Sequence, residues 1–97
     1  MNWNTLLERA HVPYSKKPIA CIVEGDNGDF FPGVRIENVS FPLTISAVQA
    51  ACCICLSYQQ KPVNILYFDE TPDQLEFWKT EFGCSAEKVS DIGDLPL

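Results

Sequence analysis

Three cysteines lie close together in the middle of the chain, at Cys52, Cys53 and Cys55. Thiols at such spacing can hold a metal ion or take part in redox chemistry. On a helix, Cys52 and Cys55 share one face while Cys53 points away from it. Their neighbours are alanine, isoleucine and leucine, and a free cysteine among such residues behaves as a small hydrophobic side chain. We therefore interpret these cysteines as core thiols rather than as a metal or redox site.

Three charged residues are better candidates for binding, namely Lys17, Arg35 and Glu37. Glu37 can bind a hydroxyl group of a ligand. Arg35 precedes it by two positions, and residues two apart on a strand share a face, so the sequence also predicts a salt bridge between them. In the alternative interpretation, Lys17 and Arg35 form an anion site with the free N–H groups of a helix that starts near Ser46. The least specific interpretation leaves both cations simply solvated.

Other residues that can do chemistry lack the partners that chemistry needs. His11 is the single histidine, and no ligand set for a metal accompanies it. Asp73 and Glu76 follow Pro72 at the predicted start of a helix, where carboxylates stabilise the helix dipole more often than they catalyse.

The composition restricts the class of protein. The chain has 97 residues, of which 46% are hydrophobic, and this suits one small folded domain, residues 1–97. A net charge of −6 repels nucleic-acid phosphate. No apolar run approaches the roughly 20 residues that a membrane crossing needs. Neither a signal peptide nor an even cysteine count is present, so we expect a cytoplasmic protein with free thiols and no membrane or nucleic-acid partner.

The hydrophobic pattern predicts the elements that would position these residues. Helices are expected over residues 1–10, capped by Asn4, over 44–58, capped by Thr44, and over 71–82, ended by Gly83. Strands are expected over residues 19–23, 30–36, 63–68 and 87–92, with a hairpin turn at 25–28. Phe77, Trp78 and Phe82 are expected, with Leu75, to form a mostly inward face that packs in the core or against an interface.

This order predicts an α/β fold, a three-layer α-β-α sandwich with a mixed sheet. The hairpin supplies an antiparallel pair of strands, and the crossover from the central helix to the strand at 63 supplies a parallel one. The central helix is apolar on nearly all sides, which predicts that the sheet covers one side and a subunit partner covers another.

Several segments resemble the small homotetrameric cytidine deaminases. Residues 9–15, RAHVPYS, are similar to the family's A-x-x-P-Y-S segment, and residues 33–41, GVRIENVSF, are similar to G-x-N-x-E-N-A-S-Y. Residues 81–83 and 92–96 match the end of the family's next helix and its closing motif. The resemblance implies the cytidine-deaminase-like fold for the whole chain. The family has a further strand after the position of Gly83, and this chain lacks the segment that would form it. We therefore expect the sheet to be one strand short.

The resemblance fails at the residues that carry the family's chemistry. In the family, the central helix opens with T-x-C-A-E-R. A zinc ion activates a water molecule, and the glutamate transfers protons from that water to the substrate. In this chain Ser46 stands at the metal-ligand position, Val48 at the glutamate position and Gln49 at the arginine position. The family's P-C-x-x-C segment falls at residues 71–75, which contain no cysteine. We therefore expect no catalytic residues, no metal ligands and no zinc, although zinc is the cofactor that the family implies.

The family's substrate pocket is altered as well. Lys17 stands at the position of its stacking phenylalanine and Arg35 at that of its sugar-binding asparagine, whereas Glu37 retains the sugar-binding glutamate. The candidate ligand-binding residues are therefore Glu37, Arg35, Lys17 and Ser46, and the candidate ligand is a nucleoside or, with the anion site, a nucleotide.

The sequence as a whole favours a non-catalytic cytidine-deaminase-like domain that acts in ligand binding, regulation or assembly. The family's oligomerisation implies a homodimer or a homotetramer. Two alternatives stay open: a divergent nucleoside deaminase, a zinc hydrolase with a displaced site, and an inactive partner subunit of an active deaminase.

Overall fold

Three α-helices and four β-strands follow one another in the predicted order in the computed structural model, which describes residues 1–97. The helices are α1 (Trp3–Leu7), α2 (Ala47–Ser57) and α3 (Leu75–Phe82). The strands are β1 (Ala20–Gly25), β2 (Phe30–Val34), β3 (Pro62–Tyr67) and β4 (Ser85–Lys88). A short 3-10 helix, Phe41–Leu43, precedes α2. None of the helices has the length and apolar composition that a membrane crossing requires.

The four strands form one mixed sheet in the order β2-β1-β3-β4. The predicted hairpin is present, and Pro32 lies on the edge strand β2, where a missing N–H group is tolerated. The predicted parallel pair was assigned to the wrong connection. The strands on either side of α2 do not pair with each other, because β1 lies between them and is antiparallel to both. The parallel pair is β3 with β4, and α3 connects them.

Two hydrophobic clusters on opposite faces of the sheet confirm the three-layer α-β-α sandwich. The larger cluster packs α2 and α3 on one face, and its buried members are Cys21, Val23, Phe31, Ala47, Val48, Ala51, Cys52, Cys55, Ile65, Leu75 and Cys84. The smaller cluster packs α1 and the C-terminal segment on the other face, with Trp3, Leu6, Ala20, Ile22, Leu66 and Ile92. The sheet has four strands, in agreement with the expectation of a sheet one strand short.

Close contact between α2 and the sheet depends on Gly33 in β2. A Cβ atom at Gly33 would lie 2.4 Å from the carbonyl oxygen of Ala47 and 2.5 Å from the amide nitrogen of Ala51. Both are helix backbone atoms, which cannot move aside easily. The glycine therefore sets how closely the start of α2 approaches β2.

The predicted caps of the first two helices were wrong. Asn2, not Asn4, caps α1, because its Oδ1 accepts a hydrogen bond from the Thr5 amide at 2.9 Å. The helix ends at Leu7, well before Pro13. Ser46, not Thr44, caps α2. Thr44 instead ends the 3-10 helix, and its hydroxyl accepts a hydrogen bond from the Asn38 amide.

The last elements also begin at positions different from those predicted. Helix α3 starts at Leu75 rather than 71, because Gln74 adopts a left-handed backbone conformation; it ends at Gly83, as predicted. Phe77 is 61% exposed, so it does not pack in the core, and the alternative that it packs against an interface stays a prediction. Strand β4 begins at Ser85, directly after the helix, and ends at Lys88, so it lies earlier in the chain than the predicted strand at 87–92. Strand β2 likewise ends at Val34, and only an isolated bridge continues at 36.

Helix α2 has one buried face rather than two. Cys52 and Cys55 are buried in the core, which confirms that they are core thiols, whereas Cys53 is exposed, so that interpretation was wrong for Cys53. Ile54 and Leu56, which lie on the two flanks of that buried face, are 39% and 43% exposed. The sheet therefore covers one side of α2, as predicted, and the cover of another side by a subunit partner stays a prediction.

Candidate functional site

Ser46 and Val48 lie at the start of α2, at the two positions where the resemblance to the family implies a metal ligand and a proton carrier. Val48 is fully buried in the larger core cluster, and its side chain has no polar atom. Ser46 is 4% exposed. Its hydroxyl oxygen accepts a hydrogen bond from the Gln49 amide at 3.0 Å and donates one to Gln74 Oε1 at 3.1 Å. Neither residue therefore has a free polar group directed at a ligand.

Gln74 connects the start of α2 to α3. Its Oε1 atom accepts one hydrogen bond from the Ser46 hydroxyl and a second, at 3.0 Å, from the Trp78 indole N–H group. The residue precedes α3 with φ 67° and ψ 15°, the left-handed region that a residue with a Cβ atom seldom occupies. The carboxamide thus lies between the two helices at the end of the segment that corresponds to the family's cysteine pair.

Arg35 lies between two carboxylates. Its Nε donates to Glu37 Oε2 at 3.1 Å, so the predicted salt bridge is confirmed, and its Nη1 donates to Asp73 Oδ2. The Arg35 side chain is only 14% exposed. One guanidinium shared by two carboxylates leaves one negative charge in excess, which repels an anionic ligand rather than attracting it.

Glu37 is a fully engaged carboxylate. Its Oε1 atom accepts hydrogen bonds from the backbone amides of Tyr14, at 3.0 Å, and Ser15, at 3.1 Å. Hydrogen bonds from Ser15 above all, together with those from Tyr14 and Arg35, outweigh the effect of desolvation and lower the Glu37 pKa to about 2. Glu37 therefore stays ionised and ties the loop before β1 to the end of β2.

Two neighbouring cavities surround these residues, and both are lined by Arg35, Phe41 and Thr44. The first has a volume of about 460 Å³ and is further lined by Tyr14, Ser15, Glu37, Asn38 and Val39. The second has a volume of about 350 Å³ and is further lined by Pro42, Ser46, Asp73 and Gln74. Of the predicted residues, Arg35 lines both cavities, whereas Glu37 lines only the first and Ser46 only the second.

Lys17 does not join this group. It lines a separate cavity of about 310 Å³, together with Lys16, Asp69 and Glu70 among others, and it lines neither cavity that contains Arg35. The anion site predicted from Lys17 and Arg35 is therefore not assembled. The cause is geometric, because the loop before β1 presents its backbone amides, rather than the Lys17 side chain, to Glu37.

The side chains at the family's metal position do not fit a zinc ion. Zinc in proteins is held by cysteine sulfur, histidine nitrogen or carboxylate oxygen. Ser46 and Gln74 offer a hydroxyl and a carboxamide that bond each other, and Asp73 is paired with Arg35. No three histidine, cysteine or acidic side chains are grouped so as to hold a metal. Burial first, and then the neighbouring thiols, raise the pKa of Cys52 to about 12, so that thiol stays protonated in the core.

Sequence reasoning missed three participants, Asp73, Gln74 and Trp78. Asp73 was interpreted as a helix-dipole residue, but it precedes α3 and pairs with Arg35. The sequence contained a signal for this pair. A cation, Arg35, and a carboxylate, Asp73, both stand in segments that differ from the family, and two such opposite charges can pair with each other. The role of Gln74 had no such signal, because it depends on a backbone conformation that glutamine rarely adopts.

Comparisons with known proteins agree with the fold and the order of these segments. Residues 5–67 match the family described as the cytidine and deoxycytidylate deaminase zinc-binding region. Over 62 residues the chain is 32% identical to a cytidine deaminase of Mycoplasma genitalium, covering 64% of this chain and 47% of that protein. Over 46 residues it is 39% identical to a cytidine deaminase of Mycoplasma pneumoniae, covering 47% of this chain and 34% of that protein. The chain thus spans less than half the length of these two relatives.

Solved structures of cytidine deaminases share the architecture. The enzyme from Burkholderia pseudomallei superposes with a TM-score of 0.63 at 25% identity, covering 70% of this chain and 56% of that chain. The enzyme from Mycobacterium tuberculosis superposes with a TM-score of 0.74 at 22% identity, covering 88% and 76%. The family match covers well over half of the sequence, and the fold agrees with it. The chain therefore belongs to the cytidine and deoxycytidylate deaminase family.

Proposed function

We propose that this chain is a non-catalytic cytidine-deaminase-like domain that serves in binding and assembly. The observation that carries the proposal is Val48, an aliphatic side chain sealed in the core at the position where the family's chemistry needs a proton carrier. Deamination of this type needs both an activated water molecule and a group that moves protons from that water to the substrate. A valine can do neither, and no carboxylate beside it is free to take its place, since Glu37 and Asp73 are both paired with Arg35.

A test of catalysis should supply everything an active enzyme would need. The purified chain is incubated with zinc and with cytidine or deoxycytidine, and ammonia release is measured beside an active cytidine deaminase of the same family. Metal content is measured on the same sample by elemental analysis. We expect no ammonia above background and no stoichiometric zinc. Ammonia release that requires bound zinc would refute the proposal and support the alternative of a displaced hydrolytic site.

The charges in the pocket bear on which ligand the domain would bind. The excess negative charge around Arg35 disfavours a nucleotide, and this leaves a neutral nucleoside as the better candidate for the 460 Å³ cavity. Titration calorimetry with cytidine and with cytidine monophosphate compares the two. We expect any binding to favour the nucleoside, and tighter binding of the monophosphate would contradict this choice.

The proposed assembly is a homo-oligomer, and the exposed apolar residues support it. We define the outer apolar surface as Ile54 on α2 together with the exposed apolar residues of the segment before the helix, Ile36, Val39, Phe41, Leu43 and Ile45. Val39 and Phe41 are 83% and 74% exposed. Ile54 and Ile36 line one cavity, and Ile36 forms a β-bridge with Ile45. Neighbouring exposed apolar residues on a small domain mark an interaction surface. A second copy is the occupant we propose, because a domain of 97 residues has a small core and gains stability when its exposed apolar residues are buried in an oligomer.

A matched pair of substitutions tests this surface. Ile54 on α2 and Val63 on β3 are equally exposed, at 39% each, but only Ile54 belongs to the outer apolar surface. We expect light scattering to find an oligomer for the unmodified chain and for Val63→Lys, and a monomer for Ile54→Lys. A monomeric unmodified chain at micromolar concentration would refute self-assembly. An oligomer that forms only with an active deaminase would support the alternative of an inactive partner subunit.

A further inference from the structure

We infer that the Gln74 carboxamide replaces a metal ion as the cross-link between α2 and α3. In the family, the resemblance places one ligand at the start of the central helix and two near the start of the next helix. In this chain the same two places are joined by Gln74 Oε1, which accepts hydrogen bonds from Ser46 at 3.1 Å and from Trp78 at 3.0 Å. We call this group, Ser46, Gln74 and Trp78, the carboxamide link.

The chemistry of the link suits a structural role. A carbonyl oxygen has two lone pairs, and the two donors use both of them. Ser46 is at the same time the cap of α2, because its hydroxyl oxygen accepts from the Gln49 amide. The link thus provides partners for the Ser46 hydroxyl and the Trp78 indole N–H group, in contrast to the Trp3 indole N–H group, which has no partner.

The backbone of Gln74 gives independent support. A left-handed conformation is unfavourable for any residue with a Cβ atom, and it persists only where the surroundings determine it. Pro72 before Gln74 and Leu75 after it are buried, and Asp73 is held by Arg35. Four consecutive residues, 72–75, are therefore fixed to the rest of the domain, and the carboxamide link is the part of this attachment that reaches α2.

Helix α3 depends on such an attachment. It has only eight residues, and a helix this short is not stable by itself in water. Its outer face is exposed at Phe77, so only one side packs on the core. A cross-link at its start, built from side chains, would hold the helix in place without any metal, whether or not the chain has an activity elsewhere.

The two tryptophans provide a direct readout of the link. Only Trp78 has a hydrogen-bonded indole N–H group, and Trp3 has an unpaired one, so two-dimensional ¹⁵N–¹H spectra should resolve two distinct indole signals. We expect Gln74→Ala to shift the Trp78 indole signal upfield and to leave the Trp3 signal in place. Ser46→Ala should shift the Trp78 signal less, because it acts through Gln74.

Gln59 provides a matched control. Like Gln74, it is an exposed glutamine in the left-handed region, with φ 61°, but its side chain makes no hydrogen bond. Two lost hydrogen bonds predict that Gln74→Ala raises the unfolding equilibrium constant about tenfold or more in urea titrations. Gln59→Ala should change this constant less than about threefold and leave both indole signals unmoved.

Further measurements keep the inference falsifiable if Gln74→Ala does not fold. Gln74→Glu retains an acceptor oxygen and should keep the Trp78 indole signal downfield. The unmodified chain should unfold at the same urea concentration with zinc and with a chelator. Equal effects of the Gln74 and Gln59 substitutions, an unmoved Trp78 signal, or stabilisation by zinc that a chelator reverses would each overturn the carboxamide link. None of these results depends on deaminase activity, so the link can fail while the non-catalytic proposal stands.

Discussion

Restoring a glutamate at position 48 should unfold this domain rather than activate it. Val48 is fully buried in the larger core cluster, with Cys52 among the side chains of that cluster. The substitution Val48→Glu removes a buried aliphatic side chain, which contributes roughly 1.5 to 3 kcal/mol. It also places a carboxyl group where water does not reach.

The larger part of the effect comes from the charge. Full burial raises the pKa of a carboxyl group by roughly 3 units or more, and each unit corresponds to about 1.4 kcal/mol. We therefore expect Val48→Glu to lower the free energy of unfolding by at least about 4 kcal/mol at neutral pH. The sign of the pH dependence follows from the raised pKa. The penalty is greatest above the raised pKa and decreases as the pH falls toward about 4.3, the ordinary value of glutamate.

Urea unfolding at several pH values measures this effect, and Gln49→Glu is the control. Gln49 is the adjacent residue and is half-buried in the first turn of α2, where a carboxylate is favourable to the helix dipole. The control should change the free energy of unfolding by less than about 1 kcal/mol. If Val48→Glu is as stable as the control at neutral pH, position 48 is not sealed, and the reasoning that excludes a proton carrier there is wrong.

Three other predictions test the neighbouring features. Because the folded-state pKa of Glu37 is lowered to about 2, its contribution to stability is complete above about pH 4.5 and is lost as the pH falls toward 2. The substitution Glu37→Gln should therefore flatten this part of the acid-unfolding profile. An unchanged profile would contradict the assigned hydrogen bonds. A thiol reagent should label Cys53 quickly and the other four cysteines only after unfolding, whereas fast labelling that survives Cys53→Ser would show a second exposed thiol. Gly33→Ala should destabilise the domain by about 1 to 3 kcal/mol in urea titrations, since its Cβ would lie 2.4 Å from a helix carbonyl; no effect would mean that α2 can move away from β2.

Local patterns in the sequence predicted most of the fold. The hairpin turn, the strand ending near residue 68 and the termination of α3 at Gly83 all rest on residues whose conformation is determined nearby. The strand pairing was less predictable. Whether β1 or β2 lies beside β3 is decided by the packing of the whole sheet, and the sequence of the central helix contains no information about it.

The candidate site was predictable where two charges could be compared along the chain. The Arg35–Glu37 pair follows from the spacing of two residues along one segment. That spacing does not predict the Arg35–Asp73 pair, because Asp73 lies far along the chain, before α3. Lys17 was predicted to join the pair because of its place in a family motif, but a side chain on an exposed loop is not positioned by a motif. The left-handed backbone at Gln74 determines where the carboxamide lies, and a glutamine in the sequence does not predict a left-handed backbone.

The position of Arg35 between Glu37 and Asp73 has a consequence for how this domain can change over time. An exchange of Arg35 alone for a neutral residue would leave two carboxylates close together without a cation between them, and an exchange of Ser46 for cysteine would take a donor from Gln74. Each single step back toward a metal-binding sequence would therefore lower stability before any metal could bind. Under the proposed non-catalytic function, a change to a metal-binding sequence would require several simultaneous substitutions on separate elements, because the present contacts stabilise the domain as it is.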